Sequence, residues 1–281
     1  MAFLSHEAKQ LEILVSSESN GGAVVSQNGS HATIRFDEPL SIPANAVNVE
    51  LQVAGASIWY TTPNIISGVN NALKGFLGNA FFDTTIPEGL YTLVDLEEAI
   101  QYALNVGTGI DPAVIAATLS IREDFANNHV VITISATGTN FQLHLGPGSF
   151  GTLLGFAYDF YGPPIVQPIP PPGTRISMDE GGLVMTLAPI DFYLVHCDLV
   201  PRGIRVNAGF QQVVAQVLPD GGAGQQTVYQ PINPPKCRAQ TLAGSRVDRM
   251  SVWVTDQNNR AIVTNEDPFS VRMIVTYSLP I

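Results

Sequence analysis

The sequence predicts a mainly β protein, an antiparallel β-sandwich interrupted by a small inserted α+β domain. Three observations predict it. Apolar and polar residues alternate with a period of two towards the end of the chain. One stretch, from Leu93, has helical spacing instead. That helix sits among short strand-like runs that end in a proline-rich connector, with further strands on both sides. The sandwich is expected in two parts, 1–61 and 176–281, and the inserted domain at 62–175.

Taken in order, ATIRFDEPLSIP and AVNVELQVAGASIWY are β-rich and divided by Pro43 and Asn45, a turn signal. AFFDTTIP reads as a strand ahead of the helix. In YTLVDLEEAIQYALNVG, Leu93, Leu96, Ile100, Ala103 and Leu104 share one helical face. Thr92 with Asp95 forms a capping-box variant, and Asp95, Glu97 and Glu98 suit the positive end of the helix dipole. Glu97 and Glu98 read as a solvated first turn, and Gly107 is where the helix is expected to end. VIAATLSIR and HVVITISA follow as strands joined through EDFANN. The connector GPPIVQPIPPPG, from Gly162 to Gly173, is expected to run as polyproline II.

Beyond the connector, DFYLVHCDLV and QQVVAQVLPDGG add two strands, the second closed by the turn from Pro219 to Gly222. Met250, Val252 and Val254 alternate ahead of Asp256-Gln257-Asn258-Asn259, which supplies turn chemistry. In FSVRMIVTYSL, Phe269, Val271, Met273, Val275, Tyr277 and Leu279 alternate with Ser270, Arg272, Ile274, Thr276 and Ser278. That pattern sets one apolar face against a core.

Composition narrows the function. The 281 residues are 45% hydrophobic, enough for a large core. Charged residues are 13%, against roughly 25% in an average soluble protein, so neighbouring subunits are expected to cover much of the exterior. The 24 acidic and 13 basic side chains give a net charge of −11 with no basic cluster. Direct nucleic-acid binding and anionic membrane surfaces are set aside on that ground. Cys197 and Cys237 lie outside any C-x-x-C pattern and read as two reduced thiols. Glu7, Lys9 and Glu12 interrupt any signal-peptide core, and no apolar run is long enough to span a membrane. The protein is expected to be soluble, made in the cytosol and not secreted.

No catalytic, cofactor-binding or metal-binding residue is assigned, and the chain is read as no enzyme. Gly146, Gly148 and Gly151 match G-x-G-x-x-G, the spacing of a dinucleotide-binding turn. However, Pro147 removes an amide where phosphate would be cradled, and Gly155 breaks the following run. The position where an acidic residue would bind ribose falls in the proline-rich connector. The stretch reads as a tight turn leading to an apolar plug. Ser149 has Pro147 where a nucleophile elbow needs glycine. His6, His31, His129, His144 and His196 are scattered singly, and Asp256 lacks the carboxylate density of a calcium loop. Arg202-Gly203-Ile204 has isoleucine where an integrin-type motif needs aspartate.

Four stretches, in this order, resemble the penton-type (vertex) minor capsid proteins of the virophage, Polinton-like and adenovirus lineage of double-stranded DNA viruses. They are Ile86-Pro87-Glu88-Gly89-Leu90-Tyr91 leading into the helix, Phe150-Gly151-Thr152-Leu153-Leu154-Gly155-Phe156, and Val195-His196-Cys197-Asp198-Leu199-Val200. The last is Val254-Thr255-Asp256-Gln257-Asn258-Asn259-Arg260, followed by Phe269-Ser270-Val271-Arg272. The resemblance implies a jelly roll carrying the inserted domain, five copies ringed at an icosahedral vertex of the virion, and no cofactor. Its partners would be other copies of itself, the neighbouring major capsid proteins, and a host receptor or a fibre or spike protein. Gly151 and Gly155 would then allow close backbone approach, while Leu153, Leu154 and Phe156 fill the small domain's core. The residues before Leu11 are expected to form an arm contacting adjacent capsid proteins. The alternative is a jelly-roll receptor- or carbohydrate-binding attachment protein, with Trp59, Tyr60, Tyr158, Phe160 and Tyr161 as a sugar platform.

Overall fold

A computed structural model of the chain describes residues 6–18, 24–25, 29–77, 80–109, 119–124, 129–134, 141–146, 148–156, 174–177, 185, 187–188, 190–206, 209–222, 224–264 and 267–280. The chain divides into two compact units, Met1–Thr62 with Ile190–Ile281, and Pro63–Pro189. The first unit opens with β1 (His6–Ser16), β2 (Val24–Val25), β3 (His31–Ser41) and β4 (Val47–Trp59). The second contains β5 (Ala72–Leu77), β6 (Ala80–Thr85), α1 (Leu93–Thr108), β7 (Leu119–Asp124), β8 (His129–Ile134), β9 (Phe141–His144) and β10 (Thr174–Ser177). The first then resumes with β11 (Tyr193–Cys197), β12 (Arg205–Val206), β13 (Gly209–Phe210), β14 (Val213–Val217), β15 (Gln226–Tyr229), β16 (Lys236–Arg238), β17 (Arg246–Thr255) and β18 (Ser270–Pro280).

In the first unit one sheet has the order β1-β18-β4-β15, with β16 also on β4, and the other has β14-β11-β17-β3-β2. Its strand pairs are antiparallel. Leaving aside the short β2, β12 and β13 and taking β15 and β16 as one interrupted strand, the sheets read first-eighth-third-sixth and fifth-fourth-seventh-second. That is the connectivity of a jelly roll, in which consecutive strands lie on opposite sheets except the fourth and fifth, which pair with each other. The second unit is inserted between the third and fourth of these strands.

The period-two text explains which faces meet. In β18, Val271, Met273 and Val275 are fully buried, and across the core so are Val195, Cys197, Val252 and Val254. β4 changes parity along its length: Val49, Leu51 and Val53 are buried, then Ala56 and Ile58. The cause is a bulge. Arg272 pairs with Gly55 and Met273 with Val53, leaving Ala54 as the extra residue that turns the strand over. β1 runs beside β18 from His6–Pro280 to Ser16–Ser270. The residues before Leu11 are therefore no free arm from His6 onward, because β18 supplies them with a ladder.

In the second unit β6-β5-β9 and β10-β8-β7 form two three-stranded sheets. α1 lays Leu96, Ile100, Ala103 and Leu104 into a core shared with Leu73, Phe82, Ile121 and Val130. Its N-terminus is a full capping box: Thr92 Oγ1 accepts from Asp95 N, and Asp95 Oδ2 accepts from Thr92 N. The helix does not end at Gly107. It continues to Thr108 and closes at Gly109, in the left-handed region at φ 71°, whose N–H donates to Asn105 O at 2.7 Å. Gly107 serves packing instead, since a Cβ there would lie 2.8 Å from Thr84 Cβ. Glu97 is not simply solvated either: its Oε2 accepts from Ile121 N at 2.9 Å, tying α1 to β7.

Ile176 and Ser177, expected in the sandwich, belong to β10 of the second unit, where they pair with β8. The connector from Gly162 to Gly173 lies outside the described residues.

Candidate functional site

The glycine turn after β9 is built from its own backbone. Gly146 O accepts from Ser149 N at 3.0 Å and from Ser149 Oγ at 2.7 Å, and Ser149 Oγ accepts from Gly151 N. Gly148 sits at φ 85° and its carbonyl accepts from Ala72 N at 3.1 Å, joining the turn to β5. Phe150–Thr152 form one turn of 3₁₀-helix; Gly155 at φ 88° then lets the chain fold back, so that Phe156 N reaches Gly151 O at 2.9 Å. The amides of Ser149, Gly151, Leu153, Leu154 and Phe156 are all bonded inside the turn, so they have none of the outward aim that holds phosphate. A Cβ on Gly151 would overlap the Leu145 carbonyl oxygen. Phe150, Leu154 and Phe156 are buried in the unit's core, with Leu153 packed against it. Pro147 lies outside the described residues.

A second cluster occupies the solvent side of the β3-β17-β11 sheet in the jelly roll. Pairing places His31 opposite Trp253 and Trp253 opposite His196. The His196 and Trp253 rings stack, centroids 5.0 Å apart and planes 11° from parallel, while His31 meets Trp253 edge-on at 5.9 Å. His196 Nε2 lies 2.9 Å from Thr255 Oγ1. Burial lowers the His196 pKa to about 4, leaving a neutral ring near pH 7. Beside the row opens a depression of about 560 Å³ lined by Ser30, His31, Asp198, Ser251, Trp253 and Ala261. Sequence reasoning singled out His31 and His196 separately and passed over Trp253. Their meeting depends on strand register, which no local motif encodes.

The remaining sequence candidates are dispersed. Cys197 and Cys237 are both buried and unbridged, and burial raises both thiols, that of Cys197 to about 12. Gly203 of the Arg202-Gly203-Ile204 stretch packs where a Cβ would overlap Val213 O, and its N–H donates to Gln211 O at 2.7 Å. Asp256 Oδ1 accepts from the amides of Asn258 and Arg260, capping its own turn. Tyr60 is buried in the jelly-roll core, which removes it from any exposed sugar platform. Trp59 is half-buried, and Tyr158, Phe160 and Tyr161 lie outside the described residues. Among the described residues no three His, Cys, Asp or Glu side chains group as metal ligands, and no helix is long and apolar enough to cross a membrane. Large apolar side chains do reach solvent: Leu14, Leu218 and Ile232 in the jelly roll, and Val94, Tyr102 and Val106 on α1.

The chain is similar to the penton protein of mavirus. That crystal structure aligns over 96% of this chain and 99% of its own, with a TM-score of 0.47 and 11% identity. A chain of the Sputnik virophage structure, from electron cryo-microscopy, aligns over 95% and 97% respectively, with a TM-score of 0.38 and 13% identity. No protein-family model matches the sequence, and no curated protein matches it.

Proposed function

We propose that the chain is a structural subunit of an icosahedral virus shell, standing at the fivefold vertex as a ring of five copies. The observation that carries this reading is the jelly-roll strand order with a compact α+β unit inserted between its third and fourth strands. Jelly rolls serve shells well, because a closed pair of sheets is rigid and presents loops and flanks for contact. The ordered stretches from Ile86 to Arg272 that resemble penton-type proteins add the vertex position. A charged content of 13% and the exposed Leu218, Ile232, Tyr102 and Val106 supply surface that neighbours would cover.

In this reading the work is done by contact. A heterologous contact repeated around a closing rotation gives a ring, with other capsid proteins at its rim. A host receptor or a fibre or spike protein would be a further partner, and the virion the place of action. Gly151 and Gly155 fold the turn that seats Leu153, Leu154 and Phe156, keeping the inserted unit rigid. The sandwich would take 1–61 and the C-terminal part of the chain.

The experiment is the mass of the purified protein by light scattering after size exclusion, with negative-stain images of the same peak. Five-membered rings are the expected result. A closed trimer would move the chain to another shell position and end the vertex reading.

A further inference from the structure

On the solvent side of the jelly roll, β3 and β17 bring two arginines face to face. Arg249 pairs directly with Arg35, next to the bulge that separates Arg249 from Val247 in the register. Met250 is buried and Ile34 packs on the core, so both arginines point away from it, and both are exposed. Like charges directly opposite on one sheet face repel. On the same strand Arg246 pairs with Asp248, and on the other sheet Lys9 pairs with Glu7, Lys236 with Glu50 and Arg272 with Glu12. Among the described residues neither Arg35 nor Arg249 has an ion pair, although Asp37 and Glu38 follow in the bulge and the chain carries 24 acidic side chains.

The same face continues from the arginines through Thr33 and Ser251, whose hydroxyls lie 2.9 Å apart, to His31, Trp253 and the depression beside them. The rows Arg35–Arg249 and His31–Trp253 are four residues apart along the strands, roughly 13 Å at the rise of a β-strand. An extended peptide has that same rise. It would set a carboxylate between the two guanidinium forks while a side chain four positions on reaches the Trp253 face. Guanidinium groups suit a carboxylate bidentately, and an indole offers apolar area at low entropic cost. A single sugar ring is too short to touch both rows. A nucleic acid would need a track of cations for its successive phosphates, and the paired rows supply Arg35 and Arg249 alone, enough for one local carboxylate site.

We propose that Arg35, Arg249 and the Trp253 depression form a docking strip for an extended acidic peptide segment of a partner protein, bearing a carboxylate and an apolar side chain four residues apart. The strip does not depend on the vertex reading.

The test uses the full chain and fluorescein-labelled short peptides in a Gly/Ser/Thr background. Each carries an Asp-Asp pair with Phe two, four or six positions on, and each has an Asn-Asn counterpart. Anisotropy at low salt should show the spacing of four binding best, with its Asn-Asn counterpart weaker by at least about tenfold. R35Q/R249Q should weaken it by a similar factor without lowering the melting temperature, because a repulsion has been removed. R35Q and R249Q singly should each cost severalfold. Unchanged binding to R35Q/R249Q, or Asp-Asp peptides that bind no better than Asn-Asn ones, overturns the proposal. So does capture of 3′-sialyllactose with no acidic peptide bound, which would make the strip a sugar site.

Discussion

Trp253 lies flat on His196, with ring planes 11° from parallel, although the two residues belong to different β-strands and His196 is buried. The stack and the Thr255 hydroxyl hold a neutral imidazole, and burial penalises its protonation. The folded-state pKa of about 4 is below the ordinary 6.5. As pH falls between those values, the unfolded chain takes up a proton that the folded chain refuses, so stability declines across that window. The expected loss is roughly 2–3 kcal/mol on going from pH 7 to pH 4. Urea unfolding of the wild type and His196→Gln at several pH values checks this. A slope between pH 6.5 and 4 that is unchanged in the variant would assign the effect elsewhere.

Gly151 and Gly222 differ in what surrounds them, and a methyl group reads the difference. Gly151→Ala drives a Cβ into the Leu145 carbonyl, a backbone atom that cannot swing aside. At Gly222 nothing lies within 4 Å of the added Cβ. The expected cost is about 2–4 kcal/mol for Gly151→Ala and within about 1 kcal/mol for Gly222→Ala. Thermal unfolding of both variants settles it. Equal melting temperatures would mean that the turn yields without loss.

The two thiols should be silent in the folded protein. With a pKa of about 12, the Cys197 side chain is thiolate in only about one part in ten thousand at pH 8, and both sulfurs are buried. Ellman's reagent should react slowly with the native chain and promptly with both cysteines in guanidinium. A fast native phase would show that the sandwich opens between Cys197 and Cys237.

Local chemistry was legible in the sequence, and pairings between distant residues were not. The alternation of Val271, Met273 and Val275 and the Thr92–Asp95 cap lie within a few residues of each other, so the text displays them directly. The glycine turn is likewise contiguous, and its Leu154 and Phe156 sit in the core of the second unit. Gly107 reads as a helix stop because glycine usually marks one; its cause is Thr84, which packs against it from β6. The residues before Leu11 read as an arm because they precede the first strand-like text. Their strand depends on a ladder with β18 from the far end of the chain. The Arg35–Arg249 and His196–Trp253 juxtapositions needed the strand register, bulges included.

The place of β18 between β1 and β4 sets a clock on synthesis. Ser16 pairs with Ser270, so β1 has no neighbour on its sheet until roughly 250 further residues have left the ribosome. At about 5–20 residues per second that is roughly 13–50 s during which β1 and one side of β4 stay open. Closing so long a loop is entropically costly and slow, and the open edges meanwhile invite pairing with other chains. The nascent protein therefore spends its synthesis without a finished sandwich. Chaperone protection during that interval, more than the stability of the finished fold, would then govern how much usable protein a cell obtains.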